Sequence, residues 1–381
     1  MLKLNSLLKT VISLTLIFVS NLFKNKDKKI IMFYFPIKIY QDNLLNLVDK
    51  LNTNNKVILA YNYLSAKEIK QSNNSYFIDF DLIKFIPLKN FFLKDINIFI
   101  TSYFVYVYPP KSKNVYISHD IYDAPMVNKN LEKNIFLRIK KLDYIFVSSE
   151  ISLNYFHAQF KKFNIKFDSK IINTGYTKLD YIEKIIRSQS SNKKKDYILL
   201  APGYSLAFKK FNMYKSILTI LEKLLNQTNE KVIFRPHPLD LTNKGRKDLI
   251  AKINRKFKNN INFKSDFSPS YLNSYKNSKL LITDLSSTAY TYAFSTIKPV
   301  VFFSKNEKKL KLDNFYNLNY FKDRKNIGFI VANIEDLINL VKNKRYNSNK
   351  ITSSILKLRK NRIEFFGSAV KRTVAEINKI H

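Results

Sequence analysis

Residues 279–303, KLLITDLSSTAYTYAFSTIKPVVFF, restrict the fold more than any other stretch of this chain. The run 280–283 is short, apolar and partly β-branched, which suits a buried strand. Asp284 with Ser286, Ser287 and Thr288 then sets one carboxylate and three hydroxyls where the pattern turns helical. Pro299 ends the helix and 300–303 restarts a buried strand, so the whole reads as one βαβ unit of an open parallel sheet. Ligands of such sheets bind at the carboxyl ends of the strands, where a helix N-terminus offers free N–H groups to an anion. A phosphate fits there. The same residue types also cap helices without binding anything, and on this stretch alone that reading stands beside the functional one.

A second polar cluster, Arg235-Pro236-His237-Pro238, follows another buried strand at 231–234 and shifts the balance toward binding. Its prolines fix and extend the backbone on both sides of His237. Alternation of this kind runs through most of the chain. Strand patterns at 30–35, 56–61, 97–101, 115–118 and 143–148 are interleaved with helical ones at 42–51 and from Glu150. After the polar, aperiodic 187–195, RSQSSNKKK, the alternation restarts at 196–201, 211–225, 231–234 and 245–258. The fold class is therefore α/β: two Rossmann-like doubly wound domains, 29–186 and 196–348, joined by a linker at 187–195 and facing a cleft. The basic segment 304–325 reads as an irregular, mobile loop over that cleft, and 349–381 as a helical tail.

Residues 7–23 are mostly apolar, with Ser6, Lys9, Thr10, Ser13 and Ser20 recurring at helical spacing. A broad apolar face beneath a thin polar stripe predicts a membrane-associated helix over 1–28, lying in the interface. Its flank, Lys24, Lys26, Lys28 and Lys29, adds roughly 1 kcal/mol per lysine near an anionic leaflet. A transmembrane anchor is the alternative; a cleaved signal peptide lacks its small-x-small site.

The chemistry is bounded by what is scarce. Without Cys there is no thiolate nucleophile, disulfide or thiolate-held metal. The four His, at 119, 157, 237 and 381, do not form HExxH, and the five Gly form neither GxGxxG nor a Walker loop. The expectation is metal-independent chemistry without a cofactor. A formal charge of +37 favours phosphate-rich or membrane partners, although Lys, Asn and Ile, which have A/T-rich codons, are abundant throughout. Nucleic acid is the partner of a different class, but the 24 Tyr and 31 Phe fall largely in strand and helix patterns and serve the core. Asp79 and Asp81, spaced like a metal-binding DxD, have no nucleotide-binding unit before them and read as strand-end acids.

With these residues assembled, the chain resembles the CDP-glycerol glycerophosphotransferase family of teichoic-acid and surface-polymer synthesis. The matching motifs are RPHP at 235–238, the TDxSS element at 283–287 with its trailing KPVVFF, Gly-Tyr-x-Lys-Leu-Asp at 175–180, Ser118-His119-Asp120 after a strand, and Ala201-Pro202. Where the family usually has Gly after that first His, this chain has Asp120, and where its Ala-Pro is commonly followed by Thr and an aromatic, this chain has Gly203 and Tyr204.

The resemblance implies a GT-B fold and transfer of a polyol phosphate from a CDP-alcohol to a polymer or lipid-linked acceptor, releasing CMP at the cytoplasmic face of the cell membrane. It implies His119 as the base on the acceptor hydroxyl and His237 or Arg235 as the group meeting developing charge. Asp284, Ser286, Ser287, Thr288, Pro202, Gly203, Gly175 and Lys178 are implied to surround the donor. A GT-B glycosyltransferase using a sugar nucleotide is the alternative enzyme.

Overall fold

The computed structural model describes residues 2–22, 27–36, 41–62, 74–122, 135, 138–164, 166–188, 196–206, 209–312, 316 and 318–381. The expected linker beyond Ser188, and Lys24 and Lys26, lie outside the described residues. The chain divides into two compact units, Met1–Tyr181 with Ile363–His381, and Ile182–Arg362.

The first unit is built on β1 (Ile30–Phe35), β2 (Lys56–Tyr61), β3 (Ser75–Phe77), β4 (Ile98–Thr101), β5 (Lys113–Ile117), β6 (Tyr144–Val147) and β7 (Lys170–Asn173). They form one parallel sheet in the order β3-β2-β1-β4-β5-β6-β7. Every residue of β1 is buried, because both sheet faces are covered. Ile31, Phe33 and Phe35 join Leu44, Leu47 and Ile377, the last from the C-terminal helix Ala369–Asn378. Ile30, Met32 and Tyr34 join Leu14 and Ile17 of the N-terminal helix Leu2–Leu22. Each such buried aliphatic side chain contributes about 1.5–3 kcal/mol.

The second unit repeats the plan with β8 (Tyr197–Leu200), β9 (Lys231–Phe234), β10 (Phe263–Ser265), β11 (Ser278–Thr283), β12 (Val300–Phe303) and β13 (Gly328–Val331), ordered β10-β9-β8-β11-β12-β13 and parallel throughout. In both sheets the order reverses beside the first strand of the unit, between β1 and β4 and between β8 and β11. Such a reversal opens a crevice at the strand carboxyl ends.

Two expectations are corrected, and the tail is helical as expected. Segment 304–325 is not irregular: its described residues include the helices Glu307–Lys311 and Asn319–Lys322 and the start of Arg324–Ile327. The fully buried Arg324 anchors it, bonding both oxygens of Glu307 at 2.8 and 3.2 Å among Phe302, Tyr316 and Phe321. The helix expected over 211–225 begins at Ile217, after a 3-10 turn at Tyr214–Ser216, because side chains hold the amides of Met213 and Tyr214. The tail is two helices, Asn349–Arg362 in the second unit and Ala369–Asn378 in the first. Between them Gly367 turns at φ 80°, and Asp180 accepts the amides of Gly367 and Ala369 at 2.7 and 2.8 Å.

Candidate active site

In the second unit three neighbouring strands, β9, β8 and β11, deliver their carboxyl ends side by side. They carry Arg235–His237, Ala201–Tyr204 and Asp284–Thr288, so eight sequence-predicted residues meet at the switch point. The Thr283 hydroxyl donates to the Ala201 carbonyl at 2.6 Å, tying β11 to β8. Asp284 is buried and accepts the amide of Gly203 at 2.8 Å and that of Met213 at 2.9 Å. Burial raises its pKa, and those backbone bonds only partly oppose the shift. A Cβ at Gly203 would lie 2.9 Å from Asp284 Oδ1 and 3.1 Å from the Leu285 carbonyl oxygen, so a side chain at this position would crowd both.

Beyond Asp284 the helix Thr288–Thr296 begins. Ser287, at its N-cap, makes no side-chain capping bond. Among the described residues neither the Ser286 nor the Ser287 hydroxyl has a hydrogen-bond partner, and both residues are partly exposed. Thr288 Oγ1 is within 3.2 Å of the Tyr275 hydroxyl. Two hydroxyls therefore stand at the positive end of a nine-residue helix, an arrangement suited to an anion, while the Ala289 and Tyr290 amides donate to the Ser286 and Ser287 carbonyls at 3.1 and 3.2 Å.

His237 and Arg235 play unequal parts. The Leu239 amide donates to His237 Nδ1 at 3.2 Å, so the ring proton resides on Nε2. Burial pulls the ring's pKa down to about 4, which leaves a neutral N–H donor at pH 7. Tyr204 packs against it with ring centroids 5.3 Å apart. Arg235 is buried and bonds Asp266 at 2.7 Å and Ser268 at 3.3 Å. Burial raises the Asp266 carboxyl, but hydrogen bonds from Ser268 and Ser274 and the guanidinium's charge prevail and hold it low. Beneath His237 the fully buried Asp240 accepts the Ser205 amide at 3.1 Å and hydroxyl at 2.5 Å, and also the Tyr214 hydroxyl. Asp240 and Asp284 thus each tie the start of the segment that follows β8, at Ser205 and Gly203, to its end, at Tyr214 and Met213.

In the first unit His119 follows β5. Its Nδ1 is 3.2 Å from the Tyr116 hydroxyl and its Nε2 is 3.9 Å from Asp120. Burial and the Lys178 charge lower its pKa, against the opposing pull of Asp120. The 175–180 motif belongs to this unit and acquires a physical account. Gly175 sits at φ 85° with no room for a Cβ, which would lie 2.9 Å from Ala369 and Phe365. Tyr176 donates to the His119 carbonyl at 2.9 Å, Lys178 supplies charge beside the imidazole, and Asp180 holds the C-terminal turn. Gly175 and Lys178, implied by the resemblance to surround the donor, belong to the same unit as His119.

Sequence reading passed over Asp240, Ser205, Tyr214 and Asp266 as site residues. Asp240 lies three residues after His237, but nothing in the local pattern tells a buried carboxylate from a solvated one.

Among known proteins, the wall teichoic acid polymerase TagF is similar in structure: TM-score 0.61 at 16% identity, with 99% of this chain and 97% of that one covered. A putative UDP-N-acetylglucosamine 2-epimerase from Listeria monocytogenes gives 0.59 at 13%, covering 92% and 96%. The UDP-GlcNAc 2-epimerase from Methanocaldococcus jannaschii gives 0.52 at 16%, covering 88% and 99%. At such identities the likeness establishes the fold, and it agrees with the GT-B class expected from the resemblance. No curated protein sequence matches the chain. Residues 17–377 match the family model described as CDP-Glycerol:Poly(glycerophosphate) glycerophosphotransferase, nearly the whole length, so the chain belongs to that family.

Proposed function

We propose that the second unit holds the diphosphate of CDP-glycerol at the Ser286 and Ser287 hydroxyls and the positive end of the helix Thr288–Thr296, with His119 as the base of the transfer. As a family member the chain is a transferase that uses CDP-glycerol and a polymer acceptor. The acceptor hydroxyl attacks the glycerol-bearing phosphorus. Its proton passes to His119, the bond from that phosphorus to the bridging oxygen breaks, and CMP leaves with the electron pair. Transfer of this kind depends on positioning and charge stabilisation more than on covalent chemistry.

The observation that carries this reading is the pair of unpartnered hydroxyls at a helix N-terminus, on the switch-point strand next to the one bearing Gly203. His237 donates its Nε2–H to a phosphate oxygen as negative charge develops, since a ring with a pKa of about 4 brings a dipole and not a cation. Arg235 supports the site by fixing the end of β9 through Asp266. His119, drawn below the ordinary histidine range, is unprotonated at pH 7 and ready to accept a proton. The acceptor is a lipid-linked polymer reached at the cytoplasmic face of a membrane, and the apolar N-terminal helix supports that location. Incubation with CDP-glycerol and sugar nucleotides tests the reading. Release of CMP from CDP-glycerol is expected, and release of a nucleoside diphosphate from a sugar nucleotide in its place refutes it.

A further inference from the structure

The loop that carries His119 leaves the first sheet at Ser118, whose amide donates to the Phe146 carbonyl at 2.9 Å. Past that bond the chain stays buried at Asp120 and Ile121, where the pairing of β5 with β6 has ended. A buried carbonyl needs a donor, and the strand ladder no longer supplies one. Side-chain hydroxyls do. The Asp120 carbonyl accepts from Ser118 at 2.9 Å and from Ser148 at 2.7 Å, which fills both of its lone pairs. The Ile121 carbonyl accepts from Ser152 at 3.1 Å, and the His119 carbonyl from Tyr176 at 2.9 Å. The Tyr122 amide closes the turn on Asp120 Oδ1 at 3.1 Å.

These donors converge from the ends of β5 and β6, the first turn of the helix Glu150–Lys162 and the turn after β7. Ser118, Ser148 and Ser152 are each at most 3% exposed, so their hydroxyls serve the interior. Residues 148–152, SSEIS, read in sequence as the end of a strand and the start of a helix. Capping that helix needs only Ser149, whose Oγ accepts the Ser152 amide at 3.2 Å. Ser148 and Ser152 bind the loop instead.

We propose that Ser148, Ser152 and Tyr176 are positioning residues for the transfer: their hydroxyls fix the backbone from His119 to Ile121 and thereby hold the imidazole at the carboxyl end of β5. The proposal rests on His119 being the base, as read above, and adds the groups that keep it in place. They act through His119 and touch neither donor nor acceptor. A base works only within hydrogen-bond reach of its proton, and a displacement of about 1 Å can lower a rate about 10²-fold. Deleting one of these hydroxyls leaves a buried carbonyl short of a donor, and the loop resettles to find another.

The test measures CMP release from CDP-glycerol, with acceptor present, by the full chain carrying Tyr176→Phe, Ser148→Ala or, as a control, Ser169→Ala. Ser169 donates to the Leu142 carbonyl at 2.6 Å, a bond of the same kind in the same unit but at the amino ends of β6 and β7. Tyr176→Phe and Ser148→Ala should each lower kcat about tenfold or more with donor KM little changed, and Ser169→Ala should match wild type. In a His119→Ala background the first two substitutions should lower the residual rate no further, because they act only through the imidazole. Equal losses in both backgrounds, or a loss by Ser169→Ala as large as theirs, mark a general structural role and overturn the proposal. Wild-type rates for both Tyr176→Phe and Ser148→Ala, with His119→Ala impaired, also overturn it while leaving the base in place. Near-wild-type turnover by His119→Ala instead removes the base itself, a separate failure. If circular dichroism shows Ser148→Ala unfolded, Tyr176→Phe, which keeps its ring, decides by the same criteria.

Discussion

The two units share a parallel sheet with a strand order that reverses in the same place, yet they treat their histidines differently. His119, after β5, lies between a tyrosine hydroxyl, a carboxylate and the influence of Lys178. His237, after β9, has Nδ1 occupied by a backbone amide and an aromatic ring beside it. Burial lowers both pKa values. Nδ1 is engaged in both; the difference lies in what engages it, a hydroxyl that can donate or accept at His119 and an amide that can only donate at His237, and in which charges surround the ring. One scaffold thereby sets one imidazole among titratable charges and commits Nδ1 of the other to a backbone amide, which suits the base and N–H donor roles proposed above.

The largest effect that tests this contrast is loss of the base. His119→Ala should lower the rate of CMP release from CDP-glycerol about 10²–10⁴-fold with little change in donor KM; near-wild-type turnover removes His119 from catalysis. His237→Ala should lower kcat about 10²–10³-fold. His237→Asn, which retains an N–H donor, should recover part of that loss, and equal rates for the two variants would show that the donated hydrogen bond does not matter.

The scaffold of the donor site makes a smaller, purely structural prediction. Asp240→Asn leaves the buried Ser205 or Tyr214 group poorly matched and should cost about 1–3 kcal/mol in denaturant unfolding. Unchanged stability would mean that the post-β8 segment is held by Asp284 alone.

The smallest effect is the most diagnostic. With His119 as the proposed base, activity should fall as pH drops through its pKa, giving an acid limb below the ordinary histidine value of 6.5. Lys178→Met removes a charge that disfavours the imidazolium, so the limb should move up in pH. Asp120→Asn removes one that favours it, so the limb should move down. If both variants shift the limb the same way, or neither does, the limb belongs to another group.

Much of this was legible in residue order. The strand runs 30–35, 56–61, 231–234 and 300–303 are continuous and apolar because both sheet faces are covered, and they stand where they were expected. The edge strands Ser75–Phe77, Lys170–Asn173 and Phe263–Ser265 went unseen, being short and only partly buried. The donor-side cluster was legible because its members follow strands, and parallel strands collect their carboxyl ends at one rim.

Local pattern, then, decided by itself where the elements fall, that they alternate, and which polar residues crown the strands, since periodicity and turn chemistry act over a few residues. Only tertiary structure decided the partners. It joined Lys178 to His119, gave Arg235 to Asp266, buried Arg324 under a basic segment and turned the N-terminal serines inward. Such outcomes depend on burial and on contacts between residues tens to hundreds of positions apart, which no short window of sequence contains.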